Sequence, residues 1–446
     1  MPATRAQDRA GWWAGAAVAD LTPAGSVFLF GYPHVPRWST GVHDALQCAA
    51  LCLCGGGQAA LFLANDLIFV PRELAEEVRR RVAAETGVPA EAIMITATHT
   101  HSGPVTVDYV SNAADPVVPR ADPAYRQSVA DRMVEAAVRA VAAAQPAEVG
   151  VAVARASGVG SNRHDPSGPS DPEVPVLLVR AAADGRPLAC MVVYAMHPTV
   201  LHEDSTLISG DFPHFARRFL QGGVLPVDCP VLYHLGAAGD QSPRHVARAN
   251  TFLEAQQLGE NLGRAIAAVI GSMTYLAEAS LVVRRRMLEL RPREFPSVEV
   301  ATQAERQAHD RLERLRRSGA PRPAVRTAEC DWFGAEETVE LARASAEGRL
   351  EAAVRRCLPA EIQMIAIGPW KFVGWPGEFF VEYALEVRAR APGTFVITCA
   401  NGELQGYIVT AAAAAGGGYE AANAVFTADN GARFVEATLA LLARTS

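Results

Sequence analysis

Apolar and polar positions follow two rhythms along this chain, and they alternate from one end to the other. Ala45–Leu53 and Ala59–Leu63 are apolar runs flanked by glycines and predict a pair of strands. Ala14–Leu21 is strand-like as well. Pro71–Glu85 gathers Arg72, Glu73, Glu76, Glu77 and Arg80 on one face, the mark of an amphipathic helix opened by proline. Ala92–Ala97, with its β-branched residues, predicts a short buried strand. A helix is expected over Tyr125–Ala144. Strands follow at Glu148–Ala154, Val174–Val179, Pro187–Ala195 and Pro230–Tyr233, with helices at Phe212–Leu220 and Asn250–Ile270.

After a strand at Leu281–Leu290 the texture changes. Val298–Arg317 and Ala335–Arg356 are helical stretches rich in Arg, Glu and Ala, joined by Ser318–Pro323. This excursion, 291–358, reads as a lid, an arm for a homo-oligomer, or a solvated surface pair. Strands resume at Ile362–Ile367, Lys371–Val373 and Thr394–Cys399. A helix is expected over Glu378–Arg390 and a closing one from Ala432 to Leu442. Ala411–Gly418 is low in complexity and predicts a mobile loop. No repeat and no G-x-G-x-x-G fingerprint appears. The expected fold is α/β: one large domain over 12–446, a mixed β-sheet core flanked by helices, and the charged helical insertion within it.

Composition narrows the function classes. Half of the 446 residues are apolar, enough for a large core. A net charge of −7 argues against a nucleic-acid partner. No apolar run is long enough for a membrane span. Gln7, Asp8 and Arg9 interrupt the start, so no secretion signal is read and a cytoplasmic location is expected. The eight cysteines contain no C-x-x-C pair and read as reduced thiols, not zinc ligands.

Chemistry concentrates where strands end, which is where α/β proteins place their sites. Thr98-His99-Thr100-His101-Ser102-Gly103-Pro104 follows the 92–97 strand. Its two histidines point to one side if strand geometry persists; two solvated loop histidines are the alternative. The 187–195 strand runs into His197-Pro198-Thr199, and a second strand-end histidine favours a metal, since imidazole is a common zinc ligand. His202 is a less favoured candidate. Pro230–Tyr233 leads to Gly239-Asp240-Gln241-Ser242-Pro243. Ser242 there is a nucleophile or a contact to a substrate hydroxyl, and Asp240 can orient a partner. Glu378, after Trp375-Pro376-Gly377, is a metal carboxylate or simply an acidic residue opening a helix.

The joint order of Thr98–Pro104, His197-Pro198-Thr199, Gly239–Pro243, Pro376-Gly377-Glu378 and Gly406-Tyr407-Ile408 resembles the neutral/alkaline ceramidase family, from about Gly15 to about Thr427. The likeness is to the amidase domain, without the family's C-terminal β-sandwich. It implies a zinc ion held by His99, His197, Glu378 and Tyr407. It also implies His101, Arg163, Ser242 and Tyr419 around the scissile bond. Zinc at an open site activates water and polarises a carbonyl. One departure bears on substrate: Ala411–Gly418 lacks the acidic, aromatic stretch usual between the family's two tyrosines. That points away from long-chain ceramide, towards a small-molecule or acyl-amide substrate. The expectation is a zinc-dependent amidohydrolase. An acyl transferase or cyclase using the same residues, and a non-catalytic metal-binding relative, are the alternatives.

Overall fold

The computed structural model describes residues 11–32 and 35–443 of the chain. The interrupted start at Gln7, Asp8 and Arg9 lies outside the described residues.

Two sheets lie face to face between two layers of helices. The larger is built from β1 (Trp12–Asp20), β2 (Gln47–Gly55), β3 (Gln58–Asn65), β4 (Ile93–Ala97), β5 (Gln145–Arg155), β6 (Glu173–Ala181), β7 (Pro187–Tyr194) and β8 (Val231–Leu235). Their spatial order is β8-β7-β6-β5-β1-β2-β3-β4, with the short strand Thr274–Tyr275 beside β5. Pairing is antiparallel except at the two edges, where β4 runs parallel to β3 and β8 parallel to β7. The smaller sheet has the order β9 (Leu281–Leu288), β10 (Ala360–Ile367), β11 (Trp370–Gly374), β12 (Thr394–Ile397).

The strand period of two sorts side chains between the layers. Ala49, Leu51 and Leu53 of β2, Phe62 of β3 and Met94 of β4 meet Ile365, Phe372 and Ile397 of the smaller sheet. The other face of the larger sheet is covered by α1 (Arg72–Thr86) and α2 (Pro123–Ala142) at one end and by α3 (Asp211–Gly223) and α4 (Phe252–Ile270) at the other. Gly15 lets α2 lie close on β1: a Cβ there would come within 2.3 Å of the Ala140 carbonyl oxygen. The helix starts are set locally. Asp122 accepts from the Ala124 amide and Thr251 from the Glu254 amide, each such cap contributing about 1 kcal/mol.

The insertion is helical, as its composition predicts. It comprises α5 (Val298–Arg317), α6 (Arg322–Ala346) and α7 (Arg349–Cys357). The expected single helix over Ala335–Arg356 is divided, because Gly348 adopts a left-handed φ of 73° that ends one helix and starts the next. α7 turns back to pack on the smaller sheet, beside α8 (Val381–Arg390) and α11 (Asp429–Leu442).

Two further expectations are corrected. Glu378 does not open a helix: Glu378–Phe379 pairs as a short parallel strand with Tyr407–Ile408, and α8 begins three residues later. Ala411–Gly418 is not simply loop, because Thr410 caps a short helix, α9 (Ala411–Gly416). The alanine run that removes chemical character from this stretch also gives it helix propensity. Among the described residues, no helix is long and apolar enough to cross a membrane. All eight cysteines are free, and only Cys330 is less than fully buried.

Candidate metal centre and its pocket

His99 stands two residues beyond β4, where strand geometry breaks down. Its φ of 68° is left-handed, a strained conformation for a residue with a Cβ. The amide of His99 donates to the Leu67 carbonyl at 2.8 Å, and Nδ1 lies 2.9 Å from the Ile68 carbonyl. The condition that strand geometry persists is therefore not met, yet the two histidines converge: Nε2 of His99 and Nε2 of His101 are 3.3 Å apart. Gly31, at φ 118°, makes room for the second ring, since a Cβ there would fall 2.4 Å from His101 Nδ1.

His197 follows β7. Its Nδ1 faces the carbonyls of Ala238 at 2.6 Å and Gln241 at 3.0 Å, both in the small-residue loop after β8. That loop's chemical role is thus partly structural: its backbone fixes an imidazole. Glu378 arrives from beyond β11, in register with Tyr407 on the neighbouring strand. Its Oε2 is 3.0 Å from His197 Nε2 and 3.2 Å from His99 Nε2.

This donor set fits a divalent cation. Carbonyl oxygens accept only, so His99 and His197 must carry their protons on Nδ1. Both Nε2 lone pairs then face one carboxylate oxygen with no proton between them. Carbonyl-anchored imidazoles presenting Nε2 are the usual arrangement around a metal. The ligand atoms of His99, His101 and His197 all lie within 4.8 Å of one another. Burial raises the Glu378 carboxyl, but His99 and His197 more than reverse this and hold it well below the usual range. Burial and the neighbouring imidazoles push His101 well below its ordinary value, and burial likewise lowers His197. Glu378 is thereby held ionised and His101 and His197 neutral, the states a metal ligand requires. Tyr407 is different. Burial and Glu378 raise its phenol well above the ordinary value, while Arg163 opposes them.

Arg163 is delivered by a two-strand contact, Ser161–Asn162 against Gln241–Ser242. Asp240 locks this junction. Its carboxylate accepts from Asn162 Nδ2 at 2.7 Å and from the Val381 amide at 2.9 Å. Asp240 thereby ties the Arg163 loop to α8. The Arg163 guanidinium lies 5.5 Å from the Tyr407 ring centroid and pairs with Glu420. Its Nη2 is buried without a hydrogen-bond partner, so this donor is available to a substrate oxygen. Glu420 is raised by burial but drawn down to about 2 by Arg163 and His164. The Ser242 hydroxyl accepts from the Arg244 amide at 3.3 Å and caps the turn that follows.

Two chambers meet at this cluster, sharing Gly31, His101, Tyr407 and Tyr419. The smaller, about 60 Å³, is walled by Phe30, Ile68, Phe69 and Tyr109 and reaches His99 and Glu378. The larger, about 290 Å³, holds Arg163, Ser242 and His202. One side of it is α6, through Arg326, Cys330 and Phe333, so the insertion contributes part of the chamber wall. α10 (Tyr419–Asn423) packs against α6, and a Cβ on Gly334 would come within 2.9 Å of Ala422 Cβ. Tyr32, stacked at 5.4 Å from His202, and the α6 side chains carried no sequence signal. Nothing in their spacing differs from that of surface residues, and only the packing of α6 brings them to the pocket.

The fold and the cluster define a class first: a helix–sheet–sheet–helix protein with three imidazoles gathered at strand ends, able to hold a metal ion. Comparison with known proteins then supplies relatives. Residues 12–222 match a family model described as neutral/alkaline non-lysosomal ceramidase, N-terminal. The crystal structure of neutral ceramidase from Pseudomonas aeruginosa superposes with a TM-score of 0.74 at 18% identity, covering 97% of this chain and 74% of that one. A structure described as ceramidase complexed with C2 gives 0.73 at 19%, covering 96% and 74%. No curated protein sequence matches. The chain thus has the ceramidase fold. The matched family segment holds His99, His101, Arg163 and His197, whereas Ser242, Glu378, Tyr407 and Tyr419 lie beyond it.

Proposed function

We propose that this chain is a zinc-dependent hydrolase of the neutral/alkaline ceramidase family, cleaving an amide or ester bond of a small acylated substrate. The observation that carries the reading is the convergence of His99 Nε2 and His197 Nε2 on one Glu378 oxygen, at 3.2 and 3.0 Å, with both Nδ1 atoms facing backbone carbonyls. His99, His197 and Glu378 would hold the ion. Tyr407 joins them by its place beside Glu378 and by the family resemblance. Zinc supplies Lewis acidity at such a site and makes water a nucleophile near neutral pH.

The protein's own groups divide the remaining work. Arg163 directs its unpartnered Nη2 at the carbonyl oxygen where negative charge develops. A well-placed donor of this kind contributes roughly 3–4 kcal/mol to the transition state. His101, kept neutral, takes up a proton at a ring nitrogen and returns it to the departing amine or alkoxide, with Tyr419 as the second donor. Ser242 has no imidazole or carboxylate within hydrogen-bonding distance among the described residues. It is assigned to positioning substrate, not to attack. Ala411–Gly418, whose last residue lines the larger chamber, lacks acidic and aromatic side chains, which supports a compact substrate over long-chain ceramide.

Metal analysis of protein purified without added zinc tests the reading, with one zinc per chain expected. Glu378→Gln should weaken zinc binding by more than about 100-fold, because even partners outside the ligand shell cost 10–100-fold. Full zinc occupancy in that variant would refute the site. Turnover in ¹⁸O-labelled water should place label in the acid product, and its absence would mean transfer to another acceptor.

A further inference from the structure

The charge pattern of the larger chamber deepens this reading by pointing to the class of substrate, and it rests on the metal site proposed above. Four carboxylates line the chamber, and each is already matched. Glu203 pairs with Arg326 at 3.0 Å, and Glu329 with Arg326 and Arg316, both at 2.6 Å. Asp331 pairs with Arg311 at 2.8 Å, and Glu420 with Arg163 and His164. Three guanidiniums line the chamber with them: Arg163 and Arg326 are taken by these carboxylates, and Arg244 is not.

Arg244 forms no ion pair among the described residues. Its Nη2 alone is engaged, donating to Thr327 Oγ1 at 3.0 Å and to the Pro323 carbonyl at 3.4 Å, both at the start of α6. These neutral acceptors hold the guanidinium against the chamber wall without neutralising it. They leave three of its five N–H donors, on Nε and Nη1, for another partner. Arg244 is also two residues from Ser242 and lines the same chamber as His101 and Tyr407. A substrate whose scissile bond sits at the metal centre therefore extends past Ser242 towards an oriented, unmatched cation. A free guanidinium N–H donates a charge-assisted hydrogen bond to a carboxylate, and Nε or Nη1 of Arg244 can supply one.

We propose that Arg244 is a specificity residue that binds a carboxylate carried by the substrate, so that the enzyme acts on anionic acyl compounds in preference to neutral ones. Arg244 is half-buried in a concave wall, where an ion pair is screened less than on an open surface.

The test uses zinc-loaded full-length chain and pairs of hydroxamates, which bind the metal themselves. Each pair has one member ending in a carboxylate and the other in a methyl group, over spacers of two to four methylenes. Titration calorimetry gives Kd for both. The anionic member of at least one pair should bind 10-fold or more tighter. That preference should fall below about 3-fold in Arg244→Gln and be partly kept in Arg244→Lys. Equal binding of all pairs by the parent protein overturns the proposal, as does an unchanged preference in Arg244→Gln. Binding of no probe overturns it too. Zinc content then separates the outcomes: a zinc-loaded protein without charge preference loses only the Arg244 assignment, whereas a chain that takes up no zinc loses the metal centre with it.

Discussion

His101 is the side chain on which two descriptions of the centre divide. Its Nε2 is 3.3 Å from that of His99, close enough to be a third imidazole ligand. Its Nδ1 has no hydrogen-bond partner among the described residues, unlike the anchored Nδ1 atoms of His99 and His197, and this favours a ring that exchanges protons. His101→Ala separates the two. A proton carrier leaves zinc content at one per chain while kcat falls by about 10²–10⁴-fold; a ligand takes the zinc with it. Glu420 makes a second prediction at this scale. Its folded value of about 2 lies below the ordinary 4.5. The stabilisation it provides is therefore complete above pH 4.5 and lost as pH falls towards 2. Glu420→Gln should destabilise the fold at pH 7 by about 3 kcal/mol, because it leaves Arg163 buried without its countercharge. It should also flatten the loss of stability between pH 4.5 and 2. Urea unfolding at several pH values reads both, and an unchanged acid limb would remove Glu420 from this role.

At the scale of elements, the contact between α6 and α10 sets the chamber's shape. Gly334 allows it: a Cβ would meet Ala422 Cβ at 2.9 Å and Tyr419 Cα at 3.2 Å. Gly334→Val should force the helices apart, costing about 1–3 kcal/mol as overpacking does. Because Tyr419 begins α10, kcat/KM should fall while zinc content holds. A variant with full activity would show that α6 does not position Tyr419. Sequence reading placed the insertion's helices but not this contact. A charged residue such as Arg326 looks like a solvated position in one dimension, and its pairing with the distant Glu203 over a cavity follows from packing.

For the molecule as a whole, the candidate ligands come from both sheets. His99 and His197 extend from the larger sheet, Glu378 from the smaller, and the apolar layer around Phe372 and Ile365 holds the sheets together. A metal held by these three residues would therefore couple its binding to the sheet–sheet interface. Saturating zinc at about 1,000 times Kd should stabilise the fold by about 4 kcal/mol. Removing it with a chelator should lower Tm by several degrees, reversibly on adding zinc back. Calorimetry showing one Tm with and without chelator would mean the cluster holds no ion that matters to the fold.

Much of the architecture was legible from local pattern. The apolar runs within Gln47–Gly55 and at Ile93–Ala97 are short and bounded by turn residues, so strands and most helices fell where the sequence placed them. The candidate ligands were legible because His99, His197 and Glu378 each follow a strand end. Three features depended on the folded state. Glu378 entered a strand pair with Tyr407 instead of a helix, because a partner strand competes with local helix preference. His99 took a left-handed backbone because surrounding hydrogen bonds outweigh its strain. Arg244 became an unmatched charge only when α6 folded across it. Local sequence determines what each segment tends to form; which charge finds a partner depends on contacts between residues far apart in the chain, and those exist only after packing.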